Sequence, residues 1–111
     1  MIPKKIALMA RDLIEDKQGE QPVVLDVSKQ SSFTHFFVIT HGNSGPHVKA
    51  LAEHLMDTFK KNKVPLFNKE GLTTGEWIVL DYGSVIIHVF HRDKREFYNL
   101  ESLWGDAKEI K

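Results

Sequence analysis

The chain contains no cysteine. That excludes a disulfide framework, a thiolate metal site and a cysteine nucleophile. It also lacks an excess of either charge: 15 Lys and Arg residues stand against 15 Asp and Glu, for a formal net charge of zero. A balanced surface disfavours extensive binding to naked nucleic acid or to an anionic membrane, which leaves a protein as the natural partner. No apolar run is long enough to cross a bilayer. Residues 1–17, MIPKKIALMARDLIEDK, intersperse charge at helical spacing without a continuous apolar segment. They are read as neither a signal peptide nor a membrane span, and the expected location is the cytoplasm. What remains is 111 residues with 41% apolar and 27% charged content, which predicts one domain over residues 1–111 with a core of its own.

The stretch that organises the chain is GEWIVLDYGSVIIHVF, residues 75–90. Two β-branched apolar runs, Ile78-Val79-Leu80 and Val85-Ile86-Ile87, are separated only by Asp81-Tyr82-Gly83-Ser84. Consecutive apolar residues predict strands covered on both faces, and the Gly83-Ser84 step suits a tight hairpin. Before it, Pro3 opens a helix carrying Ile6, Met9, Leu13 and Ile14 on one face, with Gly19 as its stop. Residues 21–27 read as a strand beginning at Pro22, residues 31–34 as a short helical turn, and residues 36–40 as a second strand. A second helix follows, with Val48, Leu51, Ala52, Leu55, Met56 and Phe59 in a broad apolar stripe and Ser44 or Gly45 as its cap. Residues 68–75 read as a loop, and residues 92–104 as one or two short helical elements. Strand, helix and further strand predict a βαβ crossover, while the hairpin adds an antiparallel pair. The fold class is therefore α/β, a mixed sheet flanked by helices.

Catalytic and metal chemistry find little support. Glycines at 42 and 45 precede a helix, but the segment is neither GxxxxGK[ST] nor GxGxxG, so a tight turn with a cap is the better reading. The six histidines have no spacing that would assemble a metal site; His88 and His91 fall on opposite faces of a strand. Glu76 and Asp81 are five apart and also fall on opposite faces, so no carboxylate pair forms on one strand. No catalytic residue, cofactor or metal ligand is assigned. The residues that stand out are aromatic. Trp77 and Tyr82 flank a strand already rich in apolar residues, and aromatics with a polar group are typical interface anchors. Trp77 could equally close the core, and Trp104 reads as core.

Four segments together carry a family resemblance: SSFTHFFVITHGNS, PHVKALAEHL, GEWIVLDYGSVIIHVF and REFYNLESLWGDA. From about Leu25 to Ala107 the chain resembles the Iojap-type ribosomal silencing factors. One departure is local: where the family commonly has Thr-Ser-Ser-Arg-His, this chain has Asn43-Ser44-Gly45-Pro46-His47, without the arginine. The resemblance implies a nucleotidyltransferase-like fold without the catalytic carboxylates of that superfamily, and a homodimer rather than an enzyme. It further implies binding to the large ribosomal subunit through its universal ribosomal protein fourteen. Bound there, the factor would block joining with the small subunit and damp translation when nutrients are short. On that basis Trp77 and Tyr82 are expected as anchors, Glu70, Glu76 and Asp81 as partners of basic groups, and Tyr98 as an extension of the patch. The competing reading is a small nucleotidyltransferase-like enzyme holding a nucleotide at residues 42–47.

Overall fold

A computed structural model of the protein describes residues Met1 to Lys111. The first helix, α1 (Pro3–Asp16), has Pro in its first turn and buries Ile6, Ala7, Ala10, Leu13 and Ile14 on one face. Its last turn is closed by Gln18 N–H on the Glu15 carbonyl and Gly19 N–H on the Ile14 carbonyl. Gly19 thus helps to stop the helix as expected, although the left-handed residue is Gln18, at φ 60°. Strand β1 (Glu20–Asp26) starts two residues before Pro22. Its pairing with β2 (Phe36–Gly42) slips between Glu20 and Val23, and this irregularity accommodates the proline's missing N–H. The intervening residues 31–34 form bends stapled by Ser31 Oγ, which accepts from the N–H groups of Phe33 and Thr34, and not the helical turn the sequence suggested. A serine hydroxyl that satisfies two successive amides removes the need for a helical hydrogen bond.

Helix α2 (Gly45–Lys61) is capped by Ser44, whose hydroxyl accepts from His47 N–H, and it buries Val48, Leu51, Ala52, Leu55 and Phe59. After it come β3 (Asn68–Glu70), β4 (Trp77–Asp81) and β5 (Val85–His91). Two short helices, α3 (Arg92–Tyr98) and α4 (Leu100–Leu103), and a two-residue strand, β6 (Lys108–Glu109), complete the chain. The sheet order is β3-β4-β5-β2-β1-β6. β5 lies parallel to β2 and every other neighbouring pair is antiparallel, so the sheet is mixed as expected. Residues 68–70, expected in a loop, instead pair with β4.

The hairpin does organise the fold, but its two strands are not covered alike. The larger core lies between one sheet face and helices α1 and α2, and takes Ile78 and Leu80 from β4 and Val85, Ile87 and Val89 from β5. The other face buries a smaller cluster of Leu25, Val27, Phe37, Ile39 and Phe90, against which Leu100 and Trp104 pack. α3 and α4 are too short to roof the whole of that second face. Along β4, burial therefore alternates, with Ile78 and Leu80 buried and Trp77, Val79 and Asp81 half-buried. That corrects the expectation of two-sided cover for this strand, and it leaves a partly open surface around Trp77.

Candidate functional site

Trp77 begins β4 opposite Phe90 of β5. Its ring stacks on Phe90, with centroids 4.9 Å apart, and leans on Tyr98 of α3 at 4.7 Å. The indole N–H donates to Nδ1 of His88 at 3.2 Å. His88 is buried among Phe37, Trp77 and Phe90, and burial pulls its pKa down to about 4. It is therefore neutral at physiological pH, with Nδ1 as acceptor and the proton on Nε2. The bond joins two neighbouring strands within the sheet. The Trp77 ring packs against Phe90, Tyr98 and His88, while the residue stays half-buried at the surface.

Residues directly opposite each other in antiparallel strands share a face, and alternate residues along a strand do too. Asp81 and Val79 face Asn68 and Glu70 across the β3–β4 pair, and Ile86 and His88 across the β4–β5 pair. Glu70, Trp77, Val79 and Asp81 therefore lie on one face, the face on which Tyr98 packs. Glu70 and Glu76 are exposed, and neither forms an ion pair within the chain. Asp81 is committed in part to the hairpin turn, where its Oδ1 accepts from Gly83 N–H at 2.7 Å. Beyond Tyr98, Phe97 and Leu103 project from the short helices and are 76% and 78% exposed. Sequence reading missed both, because an apolar residue in a helix of one or two turns carries no periodicity to show which way it points.

Arg95 was missed as well, and it holds α3 and α4 in place. Its buried guanidinium donates from Nε and Nη2 to the two carboxylate oxygens of Glu101, each at 3.1 Å. Nη1 donates to the Glu20 carbonyl at 3.1 Å and to His41 Nδ1 at 3.0 Å. Burial, and then the Arg95 charge, lower the pKa of His41, which keeps Nδ1 an acceptor. One side chain thus ties both short helices to β1 and β2.

Tyr82 does not belong to this surface. It is 4% exposed and packs on Phe59 of α2, with ring centroids 4.9 Å apart, in the larger core. The expectation that it anchors a partner beside Trp77 is corrected by its burial on the opposite face of the sheet. Ile78, Leu80 and Tyr82 succeed one another at alternate positions and all enter the helix-covered core, whereas Trp77, Val79 and Asp81 face the other way. The 42–47 loop is tied down by its own side chains. Asn43 N–H donates to His47 Nδ1, His47 N–H to Ser44 Oγ, and His47 Nε2 to the Lys17 carbonyl. This is the turn-and-cap arrangement.

Comparison with known proteins places the chain in context. A family profile described as "Ribosomal silencing factor during starvation" matches residues 2–111. Ribosomal silencing factor RsfS of Bacillus subtilis (strain 168) is 39% identical over 107 residues, 96% of this chain and 91% of that protein. A crystal structure of a protein from Chromobacterium violaceum superposes with a TM-score of 0.92 at 34% identity, covering 95% of this chain and 88% of the other. The mouse protein named Mitochondrial assembly of ribosomal large subunit protein 1 is 31% identical over 99 residues, 86% of this chain but 43% of its own length.

Proposed function

Since this chain belongs to the family of ribosomal silencing factors, we propose that it binds the large ribosomal subunit through ribosomal protein fourteen and there blocks joining with the small subunit. The observation that carries this reading is the Trp77–Tyr98 contact, with exposed Phe97 packed against Tyr98, exposed Leu103 on the next helix and the unpaired carboxylate of Glu70 on the same sheet face as Trp77. An aromatic cluster held rigid on a sheet, with a polar rim, is the kind of surface that dominates binding energy in protein complexes. That carboxylate, with the remaining oxygen of Asp81, suits a basic partner. Tyr82 takes no part. The mechanism is occlusion: the factor and the small subunit compete for one surface, so repression depends on residence time and not on a chemical step. Damping of translation under nutrient limitation, a homodimeric state and a cytoplasmic location belong to the same reading and rest on the family resemblance.

A sucrose gradient with separated subunits tests it. The protein should sediment with large subunits alone and lower the yield of joined ribosomes. Trp77→Ala should weaken that association by on the order of 2 kcal/mol. Leu103→Ala, at an exposed position, should weaken it while leaving the unfolding transition in place. Association with neither subunit would remove this function, and undiminished binding by both variants would remove this surface.

A further inference from the structure

On the α2 side of the sheet, the end of α2, the segment after it, β3 and the hairpin turn surround a cavity of about 590 Å³. That is within the usual size range of small-molecule sites. Lys60, Lys63 and Lys69 line it, and none of them is engaged in an ion pair. Three cations and one carboxylate, Asp57, give the lining a net positive charge in a protein whose total charge is zero. Met56 and Leu66 supply apolar wall. Tyr82 completes the lining, buried, with a hydroxyl that has no hydrogen-bond partner in the chain. A buried hydroxyl without a partner costs free energy that a ligand's polar group would recover.

Lys63 adds a second, independent observation. It sits one residue past the α2 cap in the left-handed conformation, φ 59°. Val64 N–H closes on the Phe59 carbonyl and Lys63 N–H on the Lys60 carbonyl, the helix-ending motif in which glycine is the favoured residue at this position. A lysine there is conformationally costly, and its ammonium is one of the three at the cavity.

We propose that this cavity binds a small organic polyanion, its anionic groups on Lys60, Lys63 and Lys69 and its partly apolar, hydrogen-bonding body against Leu66 and the Tyr82 hydroxyl. The Asp57 carboxylate is placed to accept from an N–H or O–H of that body. The cavity lies on the sheet face away from the Trp77 stack, so its ligand is independent of what that surface binds.

The probe is ATP, which joins a polyphosphate to a body bearing N–H and O–H groups, with adenosine and inorganic tripolyphosphate as its two halves. In amide NMR titrations, ATP should produce saturable shifts centred on Lys63, Leu66, Lys69 and Tyr82, and each half alone should bind more weakly. Lys63→Gly is the informative variant, because it should raise Tm while weakening ATP binding roughly fivefold, the effect of one water-screened charge at about 4 Å. Loss of affinity in a more stable protein cannot be ascribed to unfolding. Tyr82→Phe should keep the fold and also bind more weakly. Absence of saturable shifts at these residues overturns the proposal. So does Lys63→Gly binding ATP as wild type does, or tripolyphosphate binding as tightly as ATP, which would leave only non-specific charge.

Discussion

Trp77 and His88 are locked together across β4 and β5: the indole N–H donates to Nδ1 of the imidazole at 3.2 Å, and the two rings lie 6.0 Å apart between centroids. The bond fixes the tautomer of a buried histidine and the angle at which a surface tryptophan is presented. His88→Ala removes the acceptor and leaves a gap beside Phe37. Urea unfolding should register a loss of about 2–3 kcal/mol, with broadened indole N–H resonance as Trp77 gains freedom.

Acid should weaken the fold through the same residue. In the unfolded chain His88 takes up a proton below about pH 6.5, whereas in the folded protein it does so only near its lowered pKa of about 4. Between those values the unfolded state binds more protons, so stability falls as pH drops through the window. Across the whole window this amounts to about 3 kcal/mol. His41, whose pKa is also lowered, acts in the same direction. Chemical denaturation at a series of pH values from 7 to 4 should show this slope, and His88→Leu should flatten it.

Arg95 should not tolerate replacement by lysine. The bidentate pair with Glu101 and the two further bonds from Nη1 need a planar fork, which an ammonium lacks. Arg95→Met and Arg95→Lys should each cost about 2 kcal/mol or more, since Glu101 and the Glu20 carbonyl lose their donors. Hydrogen exchange should place the change in α3 and α4, with α1 and α2 little affected.

Gly71→Ala should be among the most damaging single changes. Gly71 has φ 82°, and a Cβ there would lie 1.9 Å from the Trp77 carbonyl oxygen. No side-chain rotation relieves a clash with backbone, so β3 would have to leave β4. We expect a loss of about 3 kcal/mol or more, measured by denaturant unfolding, together with loss of amide protection at residues 68–70.

The helices and the inner strands were legible because their apolar residues recur with a clear period: the α2 stripe from Val48 to Phe59, and the runs around Val38, Leu80 and Ile87. β3 and β6 were not, since Asn68-Lys69-Glu70 and Lys108-Glu109 are exposed and polar, and only backbone pairing makes them strands. Trp77 read equally as an interface aromatic or as core, and its side chain's internal bond to His88 depends on a cross-strand register that no local pattern encodes. Tyr82 was assigned to the wrong face although its place was legible. Alternation continued from Ile78 and Leu80 carries its ring to the helix side, and Trp77 and Tyr82, five apart, fall on opposite faces. Arg95 lies in the charged run RDKREFY, and a buried cation cannot be told from a solvated one by its neighbours in sequence.

The two outermost strands have a consequence for how the molecule meets others. β3 has three residues and β6 two, and both consist of exposed polar side chains, among them Lys69, Glu70, Lys108 and Glu109. Short, charged margins are poor templates for strand addition. Extension of the sheet by a further chain, whether a docking peptide or a misfolded copy, is thereby discouraged along both borders. Association is left to broad surfaces, where side chains and not main-chain hydrogen bonds select the partner, and the molecule can be presented repeatedly to a crowded assembly without polymerising.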